Sequence, residues 1–231
     1  MPTAGGKIDA VLTPDEIRAN LAAVNARIEA ACTKAGRKRE DVTLVSVSKT
    51  FPAEAVTNAI AAGATHIGEN KVQEAREKKP LVQGSARWHL IGHLQSNKAK
   101  DAVRVFDVIE TVDSVELAEK IAKAALAIGK RQEILLQVNV GREEQKSGAD
   151  PNDVPALARD VAAIDGVSLR GLMAIPPFDH DPRQHFRRMR ELQQRTGVAE
   201  LSMGMSEDFE IAIEEGSTIV RVGRAIFGAR G

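Results

Sequence analysis

A single (β/α)8 barrel of the TIM type, with one extra helix ahead of its first strand, is the fold this sequence predicts. Two observations carry it. Eight apolar, β-branched-rich runs of strand length alternate with stretches of helical periodicity. No Pro/Gly/Ser linker or shift in composition divides the 231 residues, so the units are expected to close one sheet around one core. The alternative is an open doubly wound sheet, but no Gly-rich dinucleotide turn follows an early strand. Residues 1–231 therefore read as one domain, with 1–12 flexible.

The extra helix comes first. Thr13-Pro14-Asp15-Glu16 is a capping box with Pro in the first turn, and Ile17, Leu21, Val24 and Ile28 then share a face. Gly36 ends it by accepting a left-handed backbone. The eight strands are expected at 42–49, 65–68, 88–92, 106–111, 133–139, 168–174, 200–203 and 218–222. Between them lie helices at 52–62, 70–79, 98–103, 114–128, 152–164, 182–196 and 206–215, and a last turn at 224–227. Gly63, Pro80, Gly129 and Gly216 stop four of these. The charged pairs in 70–79 read as a solvated helix face.

Composition removes several functions. Lys and Arg number 32 and Asp and Glu 32, which argues against nucleic-acid or polybasic membrane binding. Aromatics are 3% and tyrosine is absent, too few for stacking bases. One cysteine, Cys32, leaves no internal disulfide and no multi-cysteine metal site. No window approaches a membrane span, and residues 1–7 lack a signal-peptide core, so a cytoplasmic protein is expected.

In such barrels the chemistry sits at the carboxyl ends of the strands. Those ends present Lys49, Glu69-Asn70, His93-Leu94-Gln95, Thr111, Asn139, Met173, Gly204-Met205-Ser206, and Arg221 with Gly223-Arg224. Lys49 would close the first strand with its stem in the barrel. Desolvation disfavours its ammonium, and a neutral amine can form a Schiff base; the alternative is a lysine that snorkels into solvent. The loops after strands seven and eight suit a phosphate, because Gly204 and Gly223 allow close backbone approach and helix starts at 206 and 224 would aim N–H groups at an anion. Ser206 is either a phosphate ligand or a plain N-cap. Glu207 and Asp208 repel phosphate unless they face away. His89 and His93 could share a strand face, but no carboxylate completes a metal site. His66, His180 and His185 show no partner pattern.

At these residues the chain resembles the pyridoxal phosphate homeostasis proteins (the YggS/PROSC family), which are similar to the N-terminal barrel domain of alanine racemase, a fold-type III PLP protein. The resemblance is carried by Val45-Ser46-Val47-Ser48-Lys49, His66-Ile67-Gly68-Glu69-Asn70, residues 88–95, Gly171-Leu172-Met173, residues 201–206 and Arg221-Val222-Gly223-Arg224. It implies that Lys49 holds pyridoxal 5′-phosphate (PLP) as an internal aldimine. It also implies that Ser206 with the backbone of Gly223 and Arg224 holds the phosphate, and that Arg221 meets the pyridine nitrogen. Asn70 and Met173 complete the expected cofactor-binding set, with no metal.

The implied function is intracellular PLP buffering and delivery with little or no turnover. A fold-type III amino acid racemase or decarboxylase is the alternative, and a Schiff-base aldolase a third reading. A guanidinium only donates, so Arg221 favours an unprotonated ring nitrogen and a weaker electron sink. The chain has no tyrosine to serve as a racemase's second base, and no second domain is expected after the barrel. The expected partners are PLP and apo PLP-dependent enzymes, with no nucleic acid and no membrane, and the protein is expected to be a monomer. Lys146, in the polar loop 141–148, is a candidate second amine for handing the cofactor on.

Overall fold

The computed structural model describes residues 11–143, 145–177 and 181–228. Its strands are β1 (Thr43–Val47), β2 (His66–Glu69), β3 (Arg87–Leu90), β4 (Val108–Val112), β5 (Gln132–Val138), β6 (Val167–Ala174), β7 (Glu200–Ser202) and β8 (Ile219–Val222). Each pairs parallel with the next, and β8 returns to β1 to close the barrel. The helices are α1 (Pro14–Lys34), α2 (Ala53–Ala61), α3 (Val72–Lys78), α4 (Ala99–Val105), α5 (Val115–Leu126), α6 (Val154–Ala162), α7 (Arg183–Thr196), α8 (Phe209–Glu214) and α9 (Arg224–Phe227). The expected (β/α)8 barrel is the observed one.

Strand alternation sorts the core into two layers. Ile67, Leu90, Ile109, Ile134, Leu172, Leu201 and Val220 pack with the helices in the outer layer. Val45, Val108, Leu135, Met173 and Ile219 form a separate apolar cluster that fills the barrel interior. That interior also holds buried polar groups, among them His89, Glu110, Ser202 and Arg221.

α1 lies against the side of the barrel. The Thr13–Glu16 capping box forms, and Ile17, Leu21, Val24 and Ile28 are buried. Its outer edge ties down the last unit: Asn20 donates to the Ile226 carbonyl at 3.0 Å, and Arg27 pairs with Glu210 at 2.6 Å. Residues 1–10 of the expected flexible segment lie outside the described residues. Val11 and Leu12 pack against the core, and the Leu12 carbonyl accepts from Asn58.

Three boundaries differ from expectation in ways that matter for the site. β1 stops at Val47, because the Phe51 N–H donates to the Ser48 carbonyl and turns the chain. Lys49 therefore sits in a turn rather than at the strand's last position. β3 stops at Leu90, so His93 lies beyond it, exposed, and does not share a strand face with His89. α8 starts at Phe209 instead of 206, because the Asp208 carboxylate accepts the Met205 N–H at 2.6 Å and holds a turn there.

Candidate functional site

The turn that carries Lys49 is held from beneath. Thr50 has φ 71, a left-handed value unusual for a β-branched residue. Its N–H donates to Glu74 Oε1 at 2.6 Å. Lys78, on α3, donates to the Ser48 carbonyl at 3.0 Å, to Glu69 Oε1 at 2.6 Å and to Glu74 Oε1 at 2.9 Å. Ser48 Oγ donates to the same Glu69 oxygen at 2.6 Å. The solvated face expected for this helix is thus wrong at Lys78, which is buried. Burial pushes the Glu69 carboxyl up in pKa, and Lys78 only partly offsets this.

Behind Lys49 the chain stacks Phe51 on Phe227, with ring centroids 5.2 Å apart. That contact brings the β1 turn beside the β8 turn, where Gly223 is buried and caps the short α9. Among the described residues the Arg224 and Ala225 N–H groups at the start of α9 donate to no backbone partner. On the neighbouring β7 loop, Gly204 has φ +94, and a Cβ there would come within 2.6 Å of the Ala212 Cβ. Only glycine lets this loop lie so tightly on α8. Ser206 is half-buried in the following turn and is not the α8 cap. Among the described residues its hydroxyl has no hydrogen-bond partner. Glu207 pairs with the Arg224 side chain at 3.3 Å, and Asp208 is occupied with Met205, so both acidic groups have partners.

Arg221 is 3% exposed and projects into the barrel from β8. Its Nη1 donates to Ser202 Oγ at 2.6 Å and its Nη2 to the Ala174 carbonyl at 3.0 Å. Ser202 Oγ donates to Glu110 Oε2 at 2.5 Å, and Glu110 Oε1 lies 2.7 Å from His89 Nδ1. Burial lowers the Arg221 pKa, while Glu110 and Asp208 raise it again; the guanidinium stays charged. Burial also works to raise Glu110. The hydrogen bond and charge of His89, the charge of Arg221 and the Ser202 hydroxyl outweigh it and hold Glu110 below the usual carboxylate range.

The family model for the alanine racemase N-terminal domain matches residues 19–231. The chain belongs to the alanine racemase N-terminal domain family. Within that family it is 46% identical over 220 residues to the pyridoxal phosphate homeostasis protein of Pseudomonas aeruginosa, covering 93% of this chain and 96% of the relative. The protein of the same name from Aquifex aeolicus is 41% identical over 220 residues, with 91% and 96% covered. PipY of Synechococcus elongatus, solved with PLP bound, superposes with a TM-score of 0.80 at 38% identity, covering 92% of this chain and all of PipY (100%).

Against this family background the donor set fits PLP. Lys49, the Ser206 hydroxyl, the backbone at Gly223 and Arg224, and the Arg221 guanidinium are an amine and donors grouped at one end of the barrel. The remaining members of the set are placed differently. Asn70 follows β2, and its carbonyl lies 2.2 Å from where a Cβ on Gly92 would stand, so the β2 and β3 ends touch. Met173, the penultimate residue of β6, is fully buried in the interior apolar cluster. Asn139 braces the next loop, accepting from the Glu143 N–H at 3.1 Å and donating to the Glu143 carbonyl at 2.8 Å. Lys146 in that loop is ion-paired with Glu143 and donates to the Pro176 carbonyl at 3.4 Å.

Sequence reasoning placed Glu69 at a strand end without a role, and missed Lys78, Glu110, Ser202 and His66 as site-supporting residues. Alternation could have placed Glu110 inside the barrel, two residues after the interior Val108, and Ser202 on the face opposite the outward Leu201. His66 shows no partner pattern in the sequence, yet its Nδ1 lies 2.9 Å from His89 Nε2. His180 lies outside the described residues. Among the described residues no cluster of His, Cys, Asp or Glu is arranged to hold a metal ion. Among them also, no helix is long and apolar enough to cross a membrane.

Proposed function

We propose that this protein binds PLP covalently through Lys49 and serves intracellular PLP homeostasis, holding the cofactor and delivering it to apo-enzymes as a cytoplasmic monomer. The observation that carries this reading is the grouping, at one end of a closed barrel, of an amine, a hydroxyl with no partner among the described residues, and a buried guanidinium. The names of the relatives, and the PLP bound to PipY, support it. When bound, PLP supplies an aldehyde that an amine captures reversibly and a ring that withdraws electrons from the captured carbon.

The chain's residues divide that task. Lys49 presents its amine from a turn fixed by Lys78, Glu74 and Glu69, which limits the rotational freedom lost on capture. Ser206 and the amides of Gly223 and Arg224 donate to the phosphate, while Asn70 and Met173 border the ring. Arg221 donates toward the ring nitrogen and cannot give up a proton, which keeps that nitrogen neutral. A neutral ring nitrogen and the absence of tyrosine leave little support for carbanion chemistry, so holding is favoured over turnover.

The test is a visible absorption spectrum of purified protein with added PLP, followed by borohydride reduction and peptide mapping. A cofactor band and a label on Lys49 are expected, and Lys49→Ala should lose both. A label solely on another lysine would overturn the assignment. Amino acids in deuterated water should show no α-proton exchange above background; rapid exchange would return the racemase reading.

A further inference from the structure

The polar chain from Arg221 does not end at His89. It crosses the barrel to His66, the first residue of β2, whose Nδ1 meets His89 Nε2 at 2.9 Å. His66 is partly exposed and opens onto a cavity of about 430 Å³ at the amino-terminal ends of the strands. Asp41, Arg87, His89, Glu133 and Glu200 line that cavity with it. One hydrogen-bonded path thus joins the barrel floor to the guanidinium beneath the cofactor face.

Donor and acceptor chemistry sets the direction of every link. Arg221 can only donate, so Ser202 Oγ accepts from it and must pass its own proton toward Glu110. An ionised Glu110 can only accept, so it receives Ser202 O–H on Oε2 and His89 Nδ1–H on Oε1. All donors converge on Glu110. The remaining link has two balanced forms. With both rings neutral, His66 Nδ1–H donates to His89 Nε2. When a proton from the floor binds His66 Nε2, the Nδ1 proton of His66 passes to His89 Nε2. His66 is then neutral again in its other tautomer, and the positive charge rests on His89 beside Glu110.

We infer that Glu110 and Ser202 are positioning residues for the PLP ring, acting through Arg221, and that His89 and His66 connect them to protons at the barrel floor. The inference rests on the reading that Arg221 faces the ring nitrogen. A proton gained at the floor draws Glu110 toward His89 and weakens its hold on Ser202, and so on Arg221. Removing the Glu110 charge leaves the Arg221 cation uncompensated, which makes protonation of the bound chromophore harder.

The test compares PLP-loaded wild type, Glu110→Gln and Ser202→Ala by the pH dependence of the bound cofactor's absorption band. The midpoint in Glu110→Gln is expected to fall by about one pH unit, with a smaller fall in Ser202→Ala. ¹⁵N NMR of histidine-labelled wild type should show His89 protonated at Nδ1 in both proton states. Unchanged profiles in both variants, or a His89 ring bare at Nδ1, would overturn the inference. If Glu110→Gln does not fold, Ser202→Ala and the wild-type NMR decide it. A wild type without any cofactor band refutes instead the PLP reading beneath it.

Discussion

Ser206 and Lys146 show how one residue's partners sharpen a test. From the order of residues, Ser206 could equally have been a helix cap. Its position in a turn ahead of Asp208, with no partner among the described residues, separates the two roles. Ser206→Ala should therefore leave the melting temperature unchanged while weakening PLP retention. A lost hydrogen bond to a charged group costs about 1.5–3 kcal/mol, roughly ten- to a hundredfold in affinity. Equilibrium dialysis against PLP measures this, and a fall in melting temperature with unchanged affinity would restore the cap. Lys146 must leave Glu143 before its amine can take up the cofactor's aldehyde. Lys146→Ala should keep the Lys49-dependent absorption band and slow transfer of PLP to an added apo-enzyme. Equal transfer rates would exclude Lys146 from delivery.

At the scale of elements, α3 holds the end of β1 through one buried cation. Lys78 and Glu69 have side chains 6% and 0% exposed, and their nitrogen and oxygen lie 2.6 Å apart. Breaking a buried pair by removing one partner costs about 3–5 kcal/mol, since the other charge stays behind. Lys78→Met should show a loss of that size in urea unfolding, and slower capture of PLP because Thr50 loses the support of a fixed Glu74. The double variant Lys78→Met/Glu69→Gln should recover much of the stability without recovering the capture rate. Recovery of both would mean that the pair only stabilises the fold. The β7–α8 junction is equally constrained at Gly204, where an alanine meets both a left-handed φ and the Ala212 methyl.

Across the whole molecule the interior polar chain links stability to pH. Burial, with the charges of His89 and Arg87, pushes His66 down from 6.5 to about 4. Between those values the unfolded chain holds a proton on this residue that the native state lacks. The native state is therefore favoured above about 6.5, and the advantage is lost as pH falls toward 4. Glu110, held below its ordinary value, adds a loss in the same direction at still lower pH. Glu69 is raised by burial and works in the opposite sense, favouring the native state as pH falls. A melting temperature that drops from pH 7 to pH 4 is expected, with His66→Gln removing part of the slope. An unchanged slope in that variant would show that His66 does not titrate as its surroundings dictate.

Most of the strand order and the outer core was legible in the order of residues. Alternation and helical periodicity are local, and the stops at Gly63, Gly129 and Gly216 act within a turn of the residues they end. The positions Lys49, Ser206, Arg221, Gly223 and Arg224 stand out in the sequence for a related reason, since barrel topology sends every strand's carboxyl end to one face, while the PLP roles proposed for them come from the family resemblance. Neither Lys78 nor the path from Arg221 to His66 was visible in this way. Lys78 looks like any charged helix residue until α3 packs over the β1 turn. His66, His89, Glu110, Ser202 and Arg221 come from five strands, and no local pattern relates positions separated by as many as 92 residues, as Ser202 and Glu110 are. Closure of the barrel decided them. It removed these groups from water, and a buried polar group without a partner costs too much to be left unpaired.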